Sequence, residues 1–174
     1  FSYRHSIFKD HPQRYIVSSV TFRLKKPWVP NLQYEPLASA LNGLEITPKA
    51  IFEAVCAIRN AKLPNPKVLG NAGSFFHNPV VTEEELQPIR AKYPGVVTYP
   101  YGSGYKLAAG WLIDQCGLKG YQQGSVGVYD RQALILVNHG QGTGKDILEL
   151  AKLIEEKVYQ QFGVCLSREP VVYP

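Results

Sequence analysis

Residues 62–79 read Lys62-Leu63-Pro64-Asn65-Pro66-Lys67-Val68-Leu69-Gly70-Asn71-Ala72-Gly73-Ser74-Phe75-Phe76-His77-Asn78-Pro79. Gly70, Ala72, Gly73 and Ser74 are small, so the backbone can lie close to a ligand or to another part of the chain. The Ser74 hydroxyl then stands beside Phe75 and Phe76, in surroundings that can be dry. Arg59 and Lys62 come just before, at the end of a predicted helix, where cations suit the dipole. The same residues also make a tight turn with a helix-end charge pair, and composition alone favours that plainer reading.

Other chemistry-bearing patterns fail on their spacing. His139-Gly140-Gln141-Gly142-Thr143-Gly144-Lys145-Asp146 follows a predicted strand and opens a predicted helix, the context of a phosphate loop. Aligned on Gly144-Lys145, however, His139 occupies the first glycine position and Asp146 the place of the magnesium-binding Ser or Thr. A dinucleotide fingerprint begun at Gly140 meets Lys145 where its third glycine belongs, which leaves a flexible connection capped by Thr143. Ser74 and His77 lack a nucleophile elbow, because Phe76 fills the second glycine position. His5, His11, His77 and His139 have no metal-ligand spacing, and Cys56, Cys116 and Cys165 contain no Cys-x-x-Cys pair. The cysteines are expected to be buried, reduced core thiols of a cytosolic protein.

The elements that must position these residues show in the hydrophobic pattern. Residues 15–24 are rich in β-branched and aromatic types and predict a strand. Residues 34–44 read as irregular. Thr47-Pro48 predicts an N-cap followed by proline at the first helical position, with a helix to about Ala61 whose stripe is Ile51, Val55 and Ile58. Thr82 and Glu85 have capping-box spacing, and Pro88 predicts a bend or a short first turn in the helix they open. Short strands are expected at 96–99 and 105–107, around Gly102-Ser103-Gly104. A helix is expected at 108–116 ended by Gly117, and a buried strand at 133–137. Thr143 caps a last helix with Ile147, Leu150, Ala151, Ile154, Val158 and Phe162 on one face, up to Gly163. This alternation predicts an α+β fold containing an α/β sandwich. There is no internal repeat, and the best candidate boundary lies at Pro64 and Pro66.

Composition bounds the function. The 174 residues are 45% hydrophobic and 19% charged, enough apolar mass for a core in one domain or slightly more. No apolar run is long enough for a membrane span and no signal peptide opens the chain, so a soluble, cytoplasmic protein is expected. The net charge of +5 comes from scattered residues, which argues against nucleic acid as a partner and suits a small anionic substrate. Phe1 opens the chain and no Met occurs in it, so a fragment or a processed chain is expected.

The run Gly70-Asn71-Ala72-Gly73-Ser74-Phe75-Phe76, with Asn78-Pro79 beyond His77, resembles a signature of the bacterial UDP-N-acetylenolpyruvoylglucosamine reductases. The likeness continues at Tyr3-Arg4, Ser6 and Phe8-Lys9, and at Lys106-Leu107-Ala108-Ala109-Gly110-Trp111-Leu112-Ile113-Asp114, in unbroken order. It implies that residues 1–63 end an FAD-binding second domain, that 64–163 form a small substrate-binding third domain, and that 164–174 are a tail carrying an acid. By position it implies that Arg4 holds the substrate carboxylate and stabilises the enolate, that Ser74 protonates the substrate, and that Glu169 assists. Tyr3 belongs with Arg4 at the site, and Lys62, Asn78, Tyr99 and Gln132 match contacts to the UDP-sugar. Tyr34 matches a tyrosine on a loop that folds over the substrate. The chain departs from the pattern at His5, where aspartate is common, and at His77, where lysine is common. It departs again at Leu166-Ser167-Arg168-Glu169-Pro170-Val171, where Leu-Glu-Pro-Glu-Val-Arg is usual.

The implied reaction uses NADPH and FAD to reduce the enolpyruvyl group of UDP-N-acetylenolpyruvoylglucosamine to UDP-N-acetylmuramate for cell-wall synthesis. The chain alone is expected to keep neither cofactor and to be inactive. The alternatives are a non-catalytic module that binds a UDP-sugar, and a plain structural domain.

Overall fold

Three helices begin at a threonine whose hydroxyl takes up an otherwise unpaired amide. A computed structural model describes residues 4–172. The Ala50 N–H donates to Thr47 Oγ1 at 3.1 Å. The Glu85 and Asp146 N–H groups donate to Thr82 and Thr143 Oγ1, each at 3.2 Å. In the last two cases the acid returns the bond to the threonine backbone, which closes a capping box.

The helices are α1 (Ile7–Asp10), α2 (Glu35–Ala40), α3 (Pro48–Lys62), α4 (Glu83–Lys92), α5 (Ala109–Gln115) and α6 (Gly144–Phe162). The strands are β1 (Gly70–Ser74), β2 (Val80–Val81), β3 (Thr98–Tyr101), β4 (Gly104–Leu107), β5 (Gln122–Gln123), β6 (Val126–Val128) and β7 (Ile135–Asn138). β1, β7, β6 and β5 lie side by side in one antiparallel sheet, and β2, β4 and β3 form a second. α6 packs on β6 and β7 and against α5, while α4 packs on β4. The apolar stripe of α6 (Leu150, Ala151, Ile154, Val158, Phe162) joins Phe75, Phe76, Leu107, Leu112, Ile113, Val126 and Leu136 in one continuous core. The fold is mixed α and β, as expected.

Several expectations are corrected. Residues 15–24 form no strand and are exposed throughout; Ile16 is 96% and Leu24 85% accessible. Strand propensity reports packing against a neighbouring strand, and no described segment pairs with these residues. The stretch 34–44 holds α2, because Leu37 and Leu41, one helical turn apart, are buried as α2 packs on α3. Pro88 does not shorten α4, which runs unbroken with Leu86 and Ile89 buried around it. The first hairpin strand starts two residues late, since Tyr101 and Gly104 form the closing pair of the ladder. None of the cysteines is fully buried: Cys116 is half-buried against the core, Cys56 is half-buried and Cys165 is exposed. Cys165 lies between buried Val164 and Leu166 in an extended tail, so alternation turns it outward. Partial burial pushes the Cys116 thiol up. Among the described residues no helix is long and apolar enough to cross a membrane.

Candidate active site

The signature segment is a bulged strand. β1 pairs with β7 at Gly70–Asn138 and Asn71–Val137, then slips before Ser74 meets Ile135. Asn71 makes the slip locally: its Nδ2 donates to the Leu69 carbonyl at 2.9 Å, and its Oδ1 accepts from the Gly73 N–H at 3.0 Å. Gly73 sits at φ +74, a left-handed conformation that a Cβ would penalise. A bulge re-aims the side chain that follows it, here Ser74. Beyond it, Phe75 and Phe76 are buried edge to face at 5.3 Å, and the Phe75 N–H donates to the Leu134 carbonyl at 2.7 Å. Ser74 is thereby fixed between a bulge and a buried aromatic pair.

The C-terminal tail lies along the next three residues. The His77 N–H donates to the Ser167 carbonyl and the Glu169 N–H to the Phe75 carbonyl, both at 2.9 Å, around an antiparallel bridge between Phe76 and Arg168. This puts Glu169 next to Ser74 although 95 residues separate them in sequence. Arg4 closes the group, its guanidinium donating to Glu169 Oε1. Glu169 Oε2 is buried and has no hydrogen-bond partner among the described residues, an arrangement that costs about 1–3 kcal/mol for a polar atom left unsatisfied. Arg4 itself has φ +54, a sparsely populated conformation for a residue with a side chain. Arg4, Lys9, Ala72, Gly73, Ser74, Glu169 and Pro170 line one open cavity of about 410 Å³.

A second cavity, of about 310 Å³, is lined by Tyr34, Val55, Ile58, Arg59, Lys62, Leu63 and Gln132. It brings together three of the residues expected to touch the UDP-sugar, from α2, the end of α3 and the turn before β7. Arg131 ties two of these regions, donating to the Ala61 carbonyl at 3.2 Å. Gln132 Oε1 lies against α5, where a Cβ on Gly110 would approach it to 3.1 Å. Asn78 reaches the same end of α5 and accepts from the Ala109 N–H at 3.0 Å. Tyr99 stands apart on β3, paired with Lys106, and lines neither cavity. Tyr3 lies outside the described residues.

The family model for the C-terminal domain of UDP-N-acetylenolpyruvoylglucosamine reductase matches residues 65–173. The chain belongs to this family. A reductase of that name from Polynucleobacter asymbioticus is 56% identical over 98% of this chain and 50% of its own length. One from Bordetella pertussis is 52% identical over 100% of this chain and 51% of its own. The chain therefore spans about half the length of the curated relatives it matches. A crystal structure of the Thermus caldophilus reductase superposes with a TM-score of 0.45 at 27% identity, covering 75% of this chain and 37% of that one.

Two basic residues of this reductase-family chain were not assigned from sequence. Arg59 lines the second cavity beside Lys62, and a signal existed, since the two stand three apart on one helix face. Lys9 lines the first cavity, and only its place in the Tyr3-to-Lys9 run marked it. The glycine-rich loop after β7 is closed by the chain itself. Asn138 Oδ1 accepts from the N–H groups of Gly140 and Gly142, and its Nδ2 donates to the Gly142 carbonyl. A Cβ on Gly142 would collide with Val126 Cγ1. No group of three or more His, Cys, Asp or Glu among the described residues could hold a metal ion.

Proposed function

We propose that this chain forms the substrate side of a UDP-N-acetylenolpyruvoylglucosamine reductase. The observation that supports this reading is the single cavity shared by Arg4, Ser74 and Glu169. In the full-length protein FAD, reduced by NADPH, would supply the hydride. The glycine-rich loop after β7 is closed by Asn138, and the roles that this chain's residues take are those toward the substrate.

Reduction of the enolpyruvyl double bond puts negative charge on the carbon next to the carboxylate. A fixed guanidinium stabilises that charge, and this is the role of Arg4, which Glu169 holds in the open cavity. Ser74 Oγ then gives its proton to the same carbon. Glu169 holds Arg4 in place through Oε1. Lys62, Arg59, Gln132 and Tyr34 line a recess shared with apolar Val55, Ile58 and Leu63, in which the two cations suit the diphosphate of the UDP-sugar. The Asn78 oxygen is engaged on α5, which leaves its amide nitrogen as the group to offer a ligand.

Ser74→Ala in the full-length protein tests the assignment. Flavin reduction by NADPH needs no proton from Ser74 and should keep its rate. Reoxidation by the enolpyruvyl substrate should slow by about 10²–10⁴-fold, the usual effect of losing a positioned acid. Equal slowing of the two steps in stopped-flow absorbance would make Ser74 a structural residue of the bulge.

A further inference from the structure

Glu169 approaches Ser74 along a very short ladder. Among the described residues two backbone hydrogen bonds, His77 to Ser167 and Glu169 to Phe75, tie the tail to the segment that follows Ser74. Toward Ser74 the strand has no amide left for the tail, since the Phe75 N–H is taken by the Leu134 carbonyl and the Gly73 N–H by Asn71 Oδ1. Successive side chains of an extended segment face opposite ways, so a slip of one residue would turn Glu169 out of the cavity and Arg168 into it. Something other than the ladder must hold the register.

Arg168 is placed to do so. Its Nε and NH2 donate to the two carboxylate oxygens of Glu155 at 2.6 and 2.8 Å, a two-pronged pair fixing the guanidinium plane. Glu155 belongs to α6, whose neighbouring Ile154 and Val158 are wholly buried in the core. The pair is half-buried, with side chains 31% and 26% accessible. The hydrogen bond to Glu155 raises the Arg168 pKa, so the guanidinium stays charged throughout the working range. Register setting is the best-attested use of such an ion pair.

We infer that Arg168, clamped by Glu155 of α6, is a positioning residue that sets the register of the tail and thereby holds Glu169 at Ser74 and Arg4. The inference rests on the proposed role of Glu169, and the test separates the two. Arg168→Gln, the charge exchange Glu155→Arg with Arg168→Glu, and Glu169→Gln are compared in the full-length protein. Arg168→Gln should slow flavin reoxidation by the enolpyruvyl substrate about 10²-fold, the effect of a displacement of roughly 1 Å. Flavin reduction by NADPH should stay within about twofold of its starting rate, because no described residue near Arg168 serves that step. Hydrogen exchange, measured also on the 174-residue chain, should quicken at the His77 and Glu169 amides, and the charge exchange should restore both readouts. If Arg168→Gln reoxidises normally while Glu169→Gln does not, the inference is wrong and the site reading stands. If Glu169→Gln reoxidises normally, the site reading falls and takes the inference with it. Equal loss in both half-reactions, unrestored by the exchange, would show general damage to the fold and overturn the inference.

Discussion

Lys62 is the residue whose assignment is most directly measurable. It ends α3 and faces a recess shared with Arg59 and Gln132. Lys62→Ala in the full-length protein should weaken UDP-sugar binding by about 1.5–3 kcal/mol, the worth of a charge-assisted hydrogen bond. NADPH affinity should be unchanged, and calorimetric titration of each ligand checks the contrast. Equal loss for both would point to a frayed helix end. The glycines around Ser74 were legible as a backbone signal, but what they serve is a bulge with Gly73 at φ +74 rather than close approach of another segment. The meeting of Arg4 with Glu169 was not legible from spacing, since they stand 165 positions apart and the tail's pairing along Phe75 to His77 brings Glu169 to the site. Resemblance supplied that pairing of roles, and the cavity supports it. Tyr99 and Asn78 show the converse, because their matched positions did not reveal that one lies apart on β3 and the other caps α5.

Elements were readable where their signals are local. Thr47, Thr82 and Thr143 each begin a helix as expected, because a cap needs only its own next three residues. Thr143→Ala should lower stability by about 1 kcal/mol, with a range of roughly 0.5–2 for lost caps, measured by urea unfolding. The same cap gives a pH signature. The backbone and hydroxyl of Thr143 hold the Asp146 carboxyl below its ordinary value. A depressed folded-state value means that the charged form stabilises the fold above the ordinary carboxylate range, and that this contribution disappears as pH falls through the lowered value. Comparison with Asp146→Asn should therefore show a difference in unfolding midpoint at neutral pH that shrinks below about pH 4. A constant difference across that range would assign the effect to shape rather than charge. Elements that depend on distant partners were less readable. The two-residue strands β2 and β5 carry too few side chains for a pattern, and α2 rests on Leu37 and Leu41 alone.

The whole molecule divides unevenly between a packed part and a bare one. The continuous core draws on residues between Phe75 and Leu166. The chain spans about half the length of the reductases it matches, and the 174-residue chain should elute colourless from gel filtration after incubation with FAD. Stoichiometric retained absorbance near the flavin bands would refute this. The bare part has its own consequence. Ile16, Val17, Val20, Phe22 and Leu24 stand out from the chain without a covering strand, and a backbone with no ladder bonds is readily accommodated in a protease cleft. Chymotrypsin should nick the chain first after Phe22 or Leu24, well before any bond between β1 and α6, and the C-terminal product should persist as a resistant band by mass spectrometry. The segment that most resembles a strand in composition would then be the one digested fastest.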